Sequence, residues 1–403
     1  MTSSEPGGER GPALFSQGFR PFFFLSAACA VVTLAGFLAM LTGRLDPPGA
    51  FDAVTWHAHE LIFGFAGAAL AGFLLTAIPN WTGRLPLRGA PLMVLVGLWL
   101  LARLAVLFGP EDARGVTLLA LAFPAALLAV AAREIAAGRS WRNLPLIAGL
   151  AAFLIADTLF IAGAIGAVQL DSMPKRLGIA VFAALITLVG GRIVPSFTHN
   201  WLKARGAAVL PPGFGPFDRV VLLLTVAALI TWIIAPAGIL PGALCSLAAI
   251  ANLLRLARWQ GHQTVSEPLL WVLHLGYGWI PVGLALVGAS ALSSEVSATA
   301  AMHALTAGAM GTMILAVMSR ATLGHTGRAL HAGPGLMTAY ALVTVGALSR
   351  VVSAATGDPT VTLLLIAAVA WAGGYAVFLG ICGPMLLAPR PLRKSSAGPK
   401  RAG

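Results

Sequence analysis

Trp56-His57-Ala58-His59-Glu60 opens an apolar segment that continues through Leu61-Ile62-Phe63-Gly64-Phe65 to Trp81. The segment is long enough to cross a ~30 Å hydrocarbon core as a helix, which takes about 20 residues. Two imidazoles and a carboxylate at the mouth of such a span are costly, and ionisable groups there are read as functional by default. The fold and the function therefore turn on what else resembles this stretch and what its side chains face.

Eleven further runs of comparable length accompany it. The twelve read as Pro21 to Thr42, Ala53 to Pro79, Pro91 to Phe108, Gly115 to Ala136, Leu144 to Val168, Pro174 to Val194, Arg219 to Ala235, Gly238 to Leu256, Pro268 to Ser290, Ser297 to Ser319, Pro334 to Ala355 and Thr360 to Leu387. With 58% hydrophobic residues, 10% charged residues and a mean hydropathy of +0.87, against about 25% charge in a soluble domain, the chain reads as an all-α polytopic membrane helix bundle. Backbone hydrogen bonds must close within the membrane, and no alternating barrel strands are present. The expected organisation is a disordered tail over 1–17, a single bundle over 18–388 and a basic tail over 389–403 that anchors to anionic lipid.

The net charge of +12 lies in the loops, where it sets topology and does not speak for nucleic acid. Alternating loops put 20 of the 26 Lys and Arg residues on the side of the termini and 6 on the other. Positive-inside then predicts cytoplasmic termini and an outer position for Trp56 to Glu60. Cys29, Cys245 and Cys382 are far apart in apolar segments, the pattern of packing residues and not of a disulfide or thiolate metal framework. The apolar run after the N-terminal tail has no A-x-A-like site close behind it, so no cleaved signal peptide is expected.

The tenth run repeats a template from the second. His59 is followed by Gly64, Gly67 and Thr82-Gly83-Arg84, and His303 by Gly308, Gly311 and Thr326-Gly327-Arg328, at identical offsets. Equivalent positions on parallel helices put His59 and His303 about 8–9 Å below the outer surface. Two imidazoles at one depth can clamp a planar cofactor, since imidazole is a usual axial ligand of haem iron and also suits copper. The glycines would admit a porphyrin edge or simply another helix. Arg103 and Arg350, near the outer ends of their helices, are available for anionic propionates; the alternatives are that they snorkel to the outer headgroups or that Arg103 pairs with Glu60.

His57 and Glu60 share a face, whereas His59 lies about 200° from His57 around a regular helix. The two histidines then serve different centres, or Glu60 holds one imidazole in a fixed tautomer; a helix starting only at His59 relaxes the restriction. A second set, His199, His274 and His325, falls near one level on the cytoplasmic side and is a candidate copper or second haem site. Asp157 stands mid-membrane with no partner legible in the sequence. A different class also fits twelve spans: a secondary transporter of a metal or small anion, with Gly/Pro-interrupted helices around a midplane site. The charges gather near the two surfaces instead.

Gly18-Phe19-Arg20-Pro21-Phe22-Phe23, Trp56-His57-Ala58-His59-Glu60, Gly72-Phe73-Leu74-Leu75-Thr76-Ala77 and Trp81-Thr82-Gly83 resemble the NnrS family. So do Arg192-Ile193-Val194-Pro195-Ser196-Phe197-Thr198 and the run from His303 through Arg320-Ala321-Thr322-Leu323-Gly324-His325-Thr326-Gly327-Arg328. The resemblance implies a twelve-helix bacterial inner-membrane protein with haem b and copper, linked to nitric oxide metabolism, denitrification and resistance to nitrosative stress. Its histidine motifs fall on His57, His59, His303 and His325. The partners it implies are nitric oxide or another small ligand, the lipid bilayer and an electron donor.

Overall fold

The structure, a computed structural model, describes residues 12–49, 51–109, 114–356 and 361–391. Twelve helices are long and apolar enough to cross a membrane, and no strand occurs among the described residues. They are α1 (Phe19–Leu41), α2 (Ala53–Thr82), α3 (Ala90–Phe108), α4 (Arg114–Ala137), α5 (Leu144–Ala164) and α6 (Met173–Lys203). The second half comprises α7 (Pro216–Ile234), α8 (Ile239–Ala257), α9 (Pro268–Leu292), α10 (Ala298–His325), α11 (Pro334–Ala355) and α12 (Val361–Leu387).

Three helices outrun their apolar stretches. α2, α6 and α10 continue past Pro79, Val194 and Ser319, so His199, Arg320 and His325, expected in loops, lie on helices. Hydropathy falls where polar residues begin, but a helix needs only its backbone bonds, and these continue until a stop signal. Gly83 and Gly327 supply it for α2 and α10, each with a positive φ (69° and 74°) after the last turn.

Successive helices pack side by side, and α12 returns to α1, so the chain closes a ring. Inside it α2, α6 and α10 touch one another. Together with α9 they have 67–72% of their apolar windows buried, against at most 39% in the other eight. The ring is closed at the end carrying both termini by Arg20, itself buried, which donates to the carbonyls of Leu386 (2.9 Å) and Ala388 (2.6 Å) at the end of α12. Arg20→Ala is expected to lower stability by about 1.5–3 kcal/mol, the range for hydrogen bonds from a charged group, read as a drop in the thermal midpoint in detergent.

The expected N-terminal tail is ordered at its end: Ala13–Phe15 forms a 3-10 turn, and Gly89 N–H donates to Phe15 O at 2.9 Å. Residues 1–11 and 392–403, which hold most of both expected tails, lie outside the described residues. The three cysteines are free and buried in the packing.

Each central helix contains one π-helical turn: Glu60–Phe65 in α2, Ile186–Gly190 in α6 and Ala304–Met310 in α10. Such a turn inserts an extra residue and breaks the regular ladder, which in hydrocarbon requires substitute donors for the disturbed carbonyls. Neighbouring helices supply them. Ser26 and Trp99 donate to Phe65 O and Gly64 O, Arg255 to Thr187 O, and Trp371 and Tyr375 to Ala307 O and Gly311 O, at 2.7–3.1 Å.

The template glycines serve this packing. A Cβ at Gly64, Gly308 or Gly311 would collide with Arg103, Trp279 or Trp371 respectively, and one at Gly67 would press tightly on Phe153. Their purpose in the structure is close side-chain packing.

Candidate functional site

The π-turns of α2 and α10 begin immediately after His59 and His303, so the sequence template corresponds to a shared structural device. The two histidines nevertheless face different ways. His303 lines a cavity of about 420 Å³ in the half of the bundle away from the termini, and the α2 residue that joins it there is His57. Lys175 from α6 and Arg350 from α11 line the same space. Apart from these four, Thr299, Thr306 and Trp371, whose indole N–H is spent on Ala307 O, the lining is apolar, and no carboxylate is among it.

The two imidazoles are held differently. His303 Nδ1 lies 2.8 Å from Thr299 O; a carbonyl only accepts, so Nδ1 carries the proton and Nε2 keeps its lone pair, as in a histidine prepared for a metal. The His57 ring stacks on Phe37 with centroids 4.2 Å apart and planes at 21°. Its Nδ1 is buried and has no hydrogen-bond partner among the described residues. A buried polar atom without a partner costs about 1–3 kcal/mol and is a place to look for a ligand.

His59 is fully buried on the opposite face of α2. Both its nitrogens are occupied: Nδ1 lies 3.0 Å from Glu60 Oε1 and Nε2 3.0 Å from Asp157 Oδ1. Phe51, Phe63 and Phe160 surround the ring. Arg103, expected beside Arg350, donates instead to Glu60 Oε1 at 2.7 Å. Glu60 thus orients the neighbouring His59 and not His57, and Asp157 has a partner that no local pattern disclosed. The expected pairing of His59 with His303 is replaced in the structure by His57 with His303, since the ~200° between His57 and His59 turns His59 toward α3 and α5.

The expected set at the terminal end does not gather. His199 Nδ1 lies 3.1 Å from Pro211 O, His274 Nε2 2.9 Å from Thr198 Oγ1, and His325 packs on Phe19 with centroids 5.4 Å apart. Among the described residues no three His, Cys, Asp or Glu side chains form a group able to hold a metal ion. Among the described residues, then, the expected copper set His199, His274 and His325 is not assembled.

For a planar, carboxylate-bearing macrocycle the cavity does fit. It offers two nitrogen ligands on separate helices, an apolar body and two cations, and its volume is within the roughly 300–1,000 Å³ of ligand pockets. Lys175 is the member that sequence reasoning passed over. In the sequence it stands as one more loop charge, although its place in the first turn of α6 puts it near the same level as Arg350.

A family model described as NnrS protein matches residues 13–390. No curated protein matches the chain.

Proposed function

The chain belongs to the NnrS family, and from that premise we propose that it is a haem-holding protein of the bacterial inner membrane that binds or processes nitric oxide and protects against nitrosative stress. The observation that carries the reading is the single apolar cavity shared by His57, His303, Lys175 and Arg350. His57 and His303 would hold the haem iron, and Lys175 and Arg350 would meet its carboxylates. Bound there, haem would supply one-electron chemistry and affinity for a diatomic ligand. The protein's own contribution is to fix the His303 tautomer through Thr299, brace His57 on Phe37 and surround both with apolar side chains. The transporter alternative has less support, because the cavity is predominantly apolar and the buried carboxylates Glu60, Asp157 and Asp218 are paired with Arg103, His59 and Arg255.

The test is the absorption of the purified full-length protein. A Soret band is expected in the wild type, and the double variant Lys175→Met/Arg350→Met should retain less haem while keeping the same spectral shape. Each lost charged contact is worth about 1.5–3 kcal/mol. A protein purified from haem-replete cells with no Soret absorption would sink the proposal.

The same reading carries the expected orientation, with both termini cytoplasmic as the 20-to-6 distribution of basic residues predicts. A periplasmic phosphatase fused after His325 should be inactive, and one fused after Arg44 active. The opposite pattern would reverse the orientation.

A further inference from the structure

Thr82-Gly83-Arg84 closes α2 with a turn that sends the chain back across the helix end. The Thr82 hydroxyl donates to Ile78 O at 2.8 Å and accepts from Arg84 N–H at 3.4 Å, and Gly83 takes the positive φ. Residues 83–88 then run without helix to α3. The end of α4 lies so close to that of α2 that a Cβ at Gly138 would strike Thr82. Glu134 of α4 is thereby brought to Arg84, and its carboxylate is shared with Arg133, whose Nη2 lies 2.7 Å from Oε1.

These residues surround a cavity of about 260 Å³ at the end of the bundle that carries the termini. Arg84, Arg88 and Arg133 line it and are exposed, whereas Leu75 and Ile78 of α2 are buried and Val130 of α4 half-buried. The cavity thus has a cationic rim and an apolar floor, and the floor belongs to segments apolar enough to cross a membrane. Three guanidinium groups face a single carboxylate. Glu134 holds two of them, and the Arg88 side chain forms neither an ion pair nor a hydrogen bond among the described residues.

We propose that this cavity binds an anionic phospholipid of the leaflet on the side of the termini, with the phosphate at Arg84, Arg88 and Arg133 and the start of an acyl chain over Leu75, Ile78 and Val130. Basic pockets between membrane helices are suited to such headgroups, and the planar guanidinium matches a phosphate with two donors at once. At about 10–15 Å³ for each water-sized sphere the space has room for about twenty, enough for a glycerophosphate group. A free phosphate has nothing to place on the apolar floor, and a zwitterionic lipid brings a cation of its own to a rim already in positive excess. The site stands on these residues alone, whatever the larger cavity holds.

Native mass spectrometry of the full-length protein, delipidated in detergent and titrated with phosphatidylglycerol, tests the site. One retained lipid is expected. Arg88→Gln, which breaks no contact within the protein, should weaken its retention roughly fivefold, the worth of one basic residue at an anionic headgroup. Arg142→Gln removes an exposed charge at the same end of the bundle but outside the cavity, and should leave retention unchanged. Glu134→Gln should tighten it, the opposite of what the loss of a merely structural pair would do. An unchanged Arg88→Gln, or an equal loss in Arg142→Gln, would reduce the effect to general surface charge and overturn the site. Equal retention of phosphatidylcholine would overturn the anionic preference, and displacement of the lipid by inorganic phosphate at the same concentration would replace the lipid with a free anion.

Discussion

Replacing His57 or His303 by alanine is expected to remove the low-spin signal that the proposed haem would give, or to lose the haem, whereas His59→Ala is expected to keep it. This is the expected result of reduced-minus-oxidised spectra recorded at matched amounts of folded protein. Its basis is that His57 and His303 line one cavity while both nitrogens of His59 are taken by Glu60 and Asp157. His59→Ala should show its effect in stability instead. It removes the shared partner of two buried carboxylates, and breaking a buried charged constellation costs about 3–5 kcal/mol. If His59→Ala removes the low-spin signal and His57→Ala spares it, the axial assignment is wrong.

The largest effect on folding is expected at Arg255. Its side chain is 0% exposed, donates to Asp218 Oδ1 at 2.7 Å and to Tyr277 Oη at 3.0 Å, and supplies the hydrogen bond to Thr187 O in the π-turn of α6. Arg255→Met strands the Asp218 carboxylate and leaves a disturbed carbonyl without its donor. The expected loss is about 3–5 kcal/mol, read as a large fall in the detergent unfolding midpoint and exceeding that of Arg20→Ala. Arg255→Met/Asp218→Leu should recover part of it, because replacing a whole buried pair is far cheaper than breaking one. A double variant no more stable than the single one would show that the π-turn contact, and not the ion pair, carries the effect.

Much of this was legible in the sequence, for identifiable reasons. Twelve apolar runs of bilayer length suffice for the helix count, and even the short gap between the runs ending at Ala235 and starting at Gly238 separates α7 from α8. The repeat linking His59 to His303 marked a real shared feature, the π-turn that begins one residue after each. What it could not carry was rotation. A linear template records spacing along a helix but not which neighbour stands at each angle, so it selected the equivalent histidine in place of the one sharing the cavity.

The Arg103–Glu60 pair is one of the alternatives legible in the sequence, since opposite charges near the same membrane level attract. Asp157 with His59 is not, because their partnership spans 98 positions and depends on how α5 leans on α2. Phe37 and Trp371 carried no signal at all, being indistinguishable in sequence from any other packing aromatic.

Each π-turn has a consequence for angular phase. A regular helix advances about 100° per residue, so one additional residue sets the part before the turn and the part after it out of phase by about that angle. In α2 the segment with His57 is thereby aimed independently of the segment below, whose packing is fixed by Phe65, Ala68 and Leu74 in the core. Deleting any one residue of 60–65 would restore phase at the cost of aim, swinging His57 away from His303 while the lower helix stayed seated. Single-residue length changes should thus be tolerated in the loops between helices and forbidden within 60–65 and 304–310, whatever residue is removed.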